Sequence, residues 1–335
     1  MRIQSRSRLG CLLLVAACLA AASLAGPVRA RAASSPAEAR LELKPGDRVM
    51  LVGNTLAERQ QLFNHFETEL YALFPGLDLT IRNLGRSGDT PALQPRPLNF
   101  GDDTTHLTAQ HADVMLLFFG LNESFDGEAG LPAFEKDLDA YLARHLAARY
   151  NGTSAPRLAL VSPIAHEKLA RLVHVDAEAR NRELARYTEA MRKVAAARGV
   201  PFADVFTPMR QAMAGAASPL TINGIHLNEA GDRVFAGVLL QALGLAPEPL
   251  PDAVTASRSF ADLRELVRQK NQLFFYRFRP LNAEYVVGRR VDPFGSVNFP
   301  PEMKRLDEKV REHEEKIWKQ AKALAGRKPD ARSAQ

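Results

Sequence analysis

The sequence predicts an α/β protein in which helices cover both faces of a parallel sheet. Apolar runs that fit strands alternate with segments of helical periodicity along most of the chain. Residues 113–119 are apolar with little alternation, as expected for a strand that is buried on both faces. Of the 335 residues, 46% are hydrophobic and 24% are charged, which is an ordinary composition for a folded globular protein.

Each element has its own local signal. Residues 48–52 form an apolar strand candidate, and the turn at Gly53 leads into residues 57–74, where large apolar side chains recur at helical spacing. The other predicted strands are 79–84, 113–119, 157–161 and 201–205, and the other predicted helices are 135–149, 177–198 and 229–243. The elements before residue 247 therefore make one α/β domain, with predicted bounds of 40–246.

A helical extension is predicted after this domain. Residues 247–251 contain three prolines, which stop a helix and mark a boundary. Residues 247–325 form the predicted extension, with helices over 260–275 and 302–324, and residues 326–335 are a predicted disordered tail. The Arg-rich and aromatic segment 276–285 has two interpretations. It packs on the core as an appendage, or it covers a pocket and brings Arg277, Arg279 or Asn282 to a substrate.

The first residues are typical of an export signal. Residues 1–32 combine an arginine-rich start, an apolar run over 11–24 and a small-residue cleavage site at 30–32, which predicts a signal peptide. The residues before Cys18 also fit lipoprotein cleavage at that cysteine. We therefore expect an exported protein, periplasmic or secreted, with no transmembrane segment in the mature chain.

Charge and cysteine content exclude several functions for the mature chain. Residues 1–32 contain five arginines and no acidic residue, so their removal lowers the formal net charge from +6 to +1. A nearly neutral chain lacks the clustered positive charge that nucleic acid requires. Both cysteines, Cys11 and Cys18, lie in the signal, so no disulfide, thiol nucleophile or cysteine-bound haem is expected. No histidine and carboxylate spacing indicates a metal, and no cofactor is predicted. The oligomeric state is left open.

Four short blocks stand where the predicted strands end. They are Gly-Asn-Thr at 53–55, Asn-Leu-Gly-Arg-Ser-Gly-Asp-Thr at 83–90, Gly-Leu-Asn-Glu at 120–123 and Asn-Gly-Ile-His at 223–226. In an open parallel sheet, ligands bind outside the carboxyl ends of the strands. Because the first three blocks follow strands and the fourth lies in a loop that can reach the same edge, we expect them to form one site.

In order and composition, these blocks resemble those of the SGNH (GDSL-type) hydrolases. The resemblance covers about residues 45–245 and implies a three-layer α/β/α, flavodoxin-like fold with a parallel five-stranded sheet. It also implies ester hydrolysis, with Gly85 and Asn122 in the oxyanion hole and His226 as the base. Thr55 stands at the position of the family's serine nucleophile.

Together with segments 96–102, 162–167 and 274–282, the blocks resemble the SGNH-like unit of planctomycete-type exported proteins. That resemblance implies a role on carbohydrate or on its ester decorations. Some of those proteins carry a c-type haem module, but this chain has no Cys-x-x-Cys-His segment, so nothing related to haem carries over.

Three substitutions depart from the family's pattern. Threonine replaces serine at Thr55, and asparagine replaces aspartate at Asn54 and at Asn223. A threonine hydroxyl can attack a carbonyl, although its β-methyl group restricts χ1; the same side chain could instead cap the following helix. In a serine-protease triad, the change from Asp to Asn slows catalysis about 10⁴-fold, although an amide can still orient a histidine.

Three functions therefore stay open. The first is an exported hydrolase of carbohydrate O-acyl esters with a divergent Thr55 and His226 site, assisted by Asn223. The second is a carbohydrate-binding descendant that has lost catalysis, and the third is a glycoside hydrolase that uses Glu123 or Glu167 as carboxylates. The expected substrate-binding residues are Asn54, Glu123, His166, Glu167, Arg277 and Arg279.

Overall fold

The computed structural model describes residues 40–280 and 282–326. The predicted signal peptide at 1–32, lipidation at Cys18 and tail residues 327–335 lie outside the described residues. Among the described helices, none is both long and apolar enough to cross a bilayer.

Five parallel strands form one sheet in the order β2-β1-β3-β4-β5, which is the flavodoxin-like order. The strands are β1 (Arg48–Gly53), β2 (Thr80–Asn83), β3 (Val114–Phe118), β4 (Arg157–Val161) and β5 (Phe202–Ala203). The predicted parallel five-stranded sheet is confirmed. Its last strand has two residues where residues 201–205 were predicted.

The α-helices of the part before the extension are α1 (Thr55–Phe63), α2 (His65–Leu73), α3 (Asp103–Ala109), α4 (Gly127–Ala147), α5 (Ala177–Arg198), α6 (Phe206–Gly215) and α7 (Glu229–Ala242). A 3-10 turn over Glu123–Asp126 precedes α4. The single helix predicted over 57–74 is wrong, because Asn64 adopts a left-handed conformation with φ of 64° and separates α1 from α2. Helices α3 and α6 were not predicted, and α4 begins earlier than expected.

Alternate residues of the central strands face opposite layers of the protein. From β3, Val114 and Leu116 join a core with side chains of α1, α2 and α7. Met115 and Leu117 join a second core with side chains of α4 and α5. Because both faces of the sheet are covered, the three-layer α/β/α architecture is confirmed.

The helical C-terminal extension is also confirmed. It consists of α8 (Asp252–Thr255), α9 (Arg258–Phe278), α10 (Glu284–Val287) and α11 (Phe299–Ala325). Leu263 of α9 and Ile317 of α11 belong to the first core, whereas Phe278 of α9 and Val310 of α11 belong to the second. The extension therefore shares both hydrophobic cores with the sheet.

Two buried ion pairs join the extension to the α/β part. Arg82 of β2 pairs with Glu314 of α11, and the second of their two hydrogen bonds is 3.2 Å long. Lys270 of α9, which is fully buried, pairs with Glu67 of α2 and donates to the Ile81 carbonyl at 2.9 Å. A buried charge without its partner destabilises the folded protein, so these pairs favour the one packing of the extension on the sheet in which both are formed.

Removing one member of such a pair should destabilise the protein strongly. We expect Glu314→Gln to lower the free energy of unfolding by about 3 kcal/mol, because it leaves Arg82 buried and only partly satisfied. Glu265→Gln is the matched control on α9, since Glu265 and Arg268 form an exposed pair worth less than about 1 kcal/mol. Urea unfolding measures both variants, and an equal loss in the two would contradict this account.

Candidate active site

The turn after β1 brings the first block to the centre of the sheet edge. Gly53 has φ of +124°, and a Cβ atom there would lie 2.1 Å from the Phe118 carbonyl oxygen, so only glycine fits. The N–H of Asn54 donates to the same oxygen at 3.0 Å. Thr55 is then the first residue of α1, at the carboxyl end of β1 and beside the end of β3.

Asn54 stabilises this turn from within. Its Oδ1 accepts a hydrogen bond from the Leu56 N–H at 3.0 Å, which is an N-cap of α1. The residue is only 1% exposed. The expectation that Asn54 binds substrate is therefore corrected, because its oxygen is used by the helix and almost none of its surface can be reached.

Thr55 and His226 line the same small cleft. Thr55 is half-buried, and its hydroxyl has no hydrogen-bond partner within the described residues. The rest of the lining is mainly apolar and consists of Asn54, Leu56, Phe118, Phe119, Leu121, Pro163, Ile164 and Ile225. The structure thus brings the first and last blocks together, as the sequence predicts.

Asn223 controls the protonation of the His226 ring. The Asn223 Oδ1 accepts from the backbone N–H groups of His226 at 3.0 Å and of Ile225 at 3.4 Å, so the amide nitrogen must be the atom that faces the ring. That nitrogen lies 3.0 Å from His226 Nδ1 and donates to it. The neutral ring therefore accepts at Nδ1 and carries its proton on Nε2. This is the opposite of the tautomer that an aspartate partner enforces.

A cation next to His226 adds to this effect. Burial lowers the pKa of His226 below its ordinary value of 6.5, and the positive charge of Arg59 lowers it further. Arg59 lies one helical turn after Thr55 and donates to the Leu227 carbonyl at 3.1 Å. The sequence motifs do not indicate Arg59, although its spacing of four residues from Thr55 on one helix face is a usable signal.

The two expected oxyanion-hole residues are placed on neighbouring loops, with part of their donors already in use. The Gly85 N–H donates to Asn83 Oδ1 at 3.1 Å. The Asn122 amide nitrogen donates to the Asp89 carbonyl at 3.3 Å, and an amide nitrogen has a second hydrogen to offer. Gly85 can therefore bind an oxyanion only by exchanging its bond with Asn83, whereas Asn122 needs no such exchange.

Glu167 is a structural anchor for the loop that carries His226. It is 6% exposed, and its carboxylate accepts from the N–H groups of Leu220 at 2.8 Å and Thr221 at 2.7 Å, as well as from the Thr221 hydroxyl. His166 packs its ring against Gly224 of that loop and directs Nδ1 to the Glu167 carbonyl at 3.1 Å. The expectation that Glu167 binds substrate is corrected, because its oxygens are occupied.

Glu123 lies directly after Asn122 and is largely buried. One of its oxygens accepts from the Gly120 N–H at 2.9 Å, and burial raises its pKa to about 7. A glycoside hydrolase needs two carboxyl groups that flank one bond. Glu167 is sequestered, and the nearby Asp89 of the second block is paired with Arg96 at 2.7 Å, so neither is free to act as a second carboxylate with Glu123. The geometry therefore does not support the glycosidase interpretation.

The two arginines of the extension have different surroundings. Arg277 pairs with Asp307 of α11 at 2.9 Å, within the extension itself. Arg279 is buried and donates to the Asn83 carbonyl at 3.3 Å and to the Gly85 carbonyl. Neither lines the cleft of Thr55 and His226. The structure therefore does not bring these two expected substrate-binding residues to the cleft, and Arg279 instead touches the second block. Within the described residues, no three His, Cys, Asp or Glu side chains are grouped as a metal site would require.

Comparison with known protein families agrees with this arrangement of the blocks. A model described as the GDSL-like Lipase/Acylhydrolase family matches residues 53–234, a span that contains all four blocks. The chain belongs to the GDSL-like lipase/acylhydrolase family. No curated protein sequence matches the chain.

A solved structure with a TM-score above 0.5 shows the same fold at low sequence identity. A gut microbial diltiazem-metabolizing enzyme aligns with a TM-score of 0.63 over 85% of this chain and 97% of that one, at 13% identity. The acetylxylan esterase Axe2 from Geobacillus stearothermophilus aligns with a TM-score of 0.47 over 62% of this chain and 98% of that one, at 15% identity. Membership of the GDSL-like lipase/acylhydrolase family supports ester hydrolysis as the reaction class of this chain.

The tautomer of His226 can be tested directly. We expect native His226 to titrate below pH 6.5, and we expect its neutral ring to carry the proton on Nε2. Asn223→Asp should raise the pKa of His226, since a carboxylate favours imidazolium, and should move the proton of the neutral ring to Nδ1. Two-bond ¹H–¹⁵N spectra across a pH series report both quantities. As a control, Arg59→Ala should raise the pKa without changing the tautomer. A native ring protonated on Nδ1 would contradict the assignment.

Proposed function

We propose that this protein is an exported hydrolase that removes small O-acyl groups from carbohydrate, with Thr55 as the nucleophile and His226 as the base. The observation that carries the proposal is the shared cleft of Thr55 and His226 at the carboxyl ends of β1 and β3. Family membership supports the reaction class. The apolar lining suits the methyl group of an acetyl ester, and the carbohydrate part rests on the resemblance to exported SGNH-like units.

In the proposed reaction, the Thr55 oxygen attacks the ester carbonyl carbon while the hydroxyl proton moves to His226 Nε2. The carbonyl oxygen becomes negative and is stabilised by the Asn122 amide and by backbone N–H groups. The alcohol leaves with the proton from His226, and the acyl group stays on Thr55. Water then attacks the acyl carbon while His226 takes its proton, and His226 returns that proton to the Thr55 oxygen as the carboxylic acid is released.

The native ring is poorly prepared for the first step. To accept a proton at Nε2, His226 must adopt the Nδ1–H tautomer. The ring Nδ1–H then points at the amide N–H of Asn223, and the hydrogen bond between these two groups is lost. Alternatively, the Asn223 amide must rotate and release two backbone N–H groups. Either change raises the barrier, so we expect slow turnover.

This expectation gives the principal test of the function. With p-nitrophenyl acetate and acetylated xylooligosaccharides, Thr55→Ala and His226→Ala should abolish the native activity. Asn223→Asp should increase kcat between about 10-fold and about 10⁴-fold, because it restores the productive tautomer and stabilises imidazolium. The double variant Thr55→Ser with Asn223→Asp should be faster still. Native turnover that is indifferent to Thr55 would overturn the proposal.

The second candidate is a carbohydrate-binding protein without catalysis. Two observations favour it: the Nε2–H tautomer of His226 and the engagement of the Gly85 N–H by Asn83. The same variants separate the candidates. A native protein that binds acetylated xylooligosaccharides without turnover, and gains esterase activity only in the double variant, would establish binding as the native role.

A further inference from the structure

The end of α9 holds the second block from outside the α/β part. Arg279, whose side chain is 8% exposed, donates from Nη1 to the Asn83 carbonyl at 3.3 Å. Its Nη2 donates to Asn83 Oδ1 at 3.3 Å and also to the Gly85 carbonyl. One guanidinium thus satisfies three acceptors of the segment 83–85, which lies 194 to 196 residues away in the chain.

Both peptide groups that flank Gly85 depend on these contacts. The peptide between Gly85 and Arg86 is held at its oxygen by Arg279 and at its N–H by the Gly53 carbonyl at 2.9 Å. The preceding peptide directs the Gly85 N–H to Asn83 Oδ1, the same atom that Arg279 binds. The segment is therefore fixed between the extension and the turn that precedes Thr55.

Helix α1 closes the segment from the third side. A Cβ atom on Gly85 would lie 2.6 Å from the Glu58 backbone nitrogen, so the second block passes directly against the helix that begins at Thr55. The Glu58 carboxylate accepts from the Ser87 N–H at 2.7 Å and lies 3.7 Å from Arg279 Nε. Arg279 is thus linked to α1 through Glu58, as well as to the second block through Asn83 and Gly85.

Neighbouring aromatic groups reinforce this connection. The Arg86 guanidinium lies 5.0 Å from the centre of the Phe278 ring and 4.8 Å from that of Phe100, and it donates to the Phe278 carbonyl at 3.2 Å. Two consecutive residues of the extension thus contact two consecutive residues of the second block: Phe278 contacts Arg86, and Arg279 contacts Gly85.

We propose that Arg279 is a positioning residue of the ester site. It fixes the Gly85 backbone against the first turn of the helix that begins at Thr55, where the Gly85 N–H can serve an oxyanion once it exchanges its bond with Asn83. This inference rests on the proposed function. Arg279 is too deeply buried to hold substrate, and its hydrogen bonds run to backbone and amide atoms of the second block. The C-terminal extension is then part of the catalytic apparatus, because an arginine at the end of α9 sets the geometry of a donor on the sheet edge.

The test compares Arg279→Ala and Arg279→Lys with Arg277→Ala. The control residue lies two positions earlier and pairs with Asp307, away from the second block. With p-nitrophenyl acetate, Arg279→Ala should lower kcat by about 10-fold to 100-fold, somewhat less than the loss of a whole oxyanion donor, and leave KM nearly unchanged. Arg279→Lys should retain part of the rate, and added guanidinium ion at millimolar concentration should restore part of it in Arg279→Ala. Arg277→Ala should show neither effect.

A second readout does not depend on activity. Hydrogen exchange of the Gly85 and Arg86 amides, measured by NMR under native conditions, should accelerate in Arg279→Ala and stay unchanged in Arg277→Ala. An unchanged kcat in a folded Arg279→Ala variant, or a loss expressed in KM alone, would overturn the inference. If the native protein and Asn223→Asp both lack esterase activity, the proposed function fails, and unchanged amide exchange in Arg279→Ala would then overturn the positioning role as well.

Discussion

The close contact between Gly53 and the Phe118 carbonyl is the constraint on which the geometry of the candidate site depends. It lets β1 turn sharply beside β3, so that α1 begins with Thr55 at the switch point of the sheet, where ligands bind in this class of fold. The second block, held by the Gly53 carbonyl, and the loop of His226 then meet this same edge.

The two asparagines that replace aspartates have unequal consequences. At Asn54, an amide oxygen caps α1 as a carboxylate would, so the change preserves the turn. At Asn223, the amide orientation is fixed by two backbone N–H groups, and the nitrogen that remains reverses the tautomer of His226. The same replacement therefore keeps an N-cap for α1 at one position and opposes the general-base role proposed for His226 at the other.

The strands, the four blocks and their meeting at one edge could be predicted, because periodicity and strand ends are local properties of the sequence. The break at Asn64 could not, since a left-handed residue inside an apolar helical pattern leaves no periodic signal. The roles of Glu167 and Arg279 also escaped prediction. Glu167 bonds to Thr221 and Arg279 bonds to Gly85, and such pairings between distant segments depend on the folded packing.

Thr55 is the proposed attacking group of the ester site. Covalent trapping tests it most directly: the purified protein and its Asn223→Asp variant are treated with a fluorophosphonate or an activated ester, digested and analysed by mass spectrometry. We predict an adduct on the peptide that contains Thr55, greater in Asn223→Asp and absent from Thr55→Ala. No adduct in either protein, or an adduct on another residue that persists in Thr55→Ala, would contradict the account.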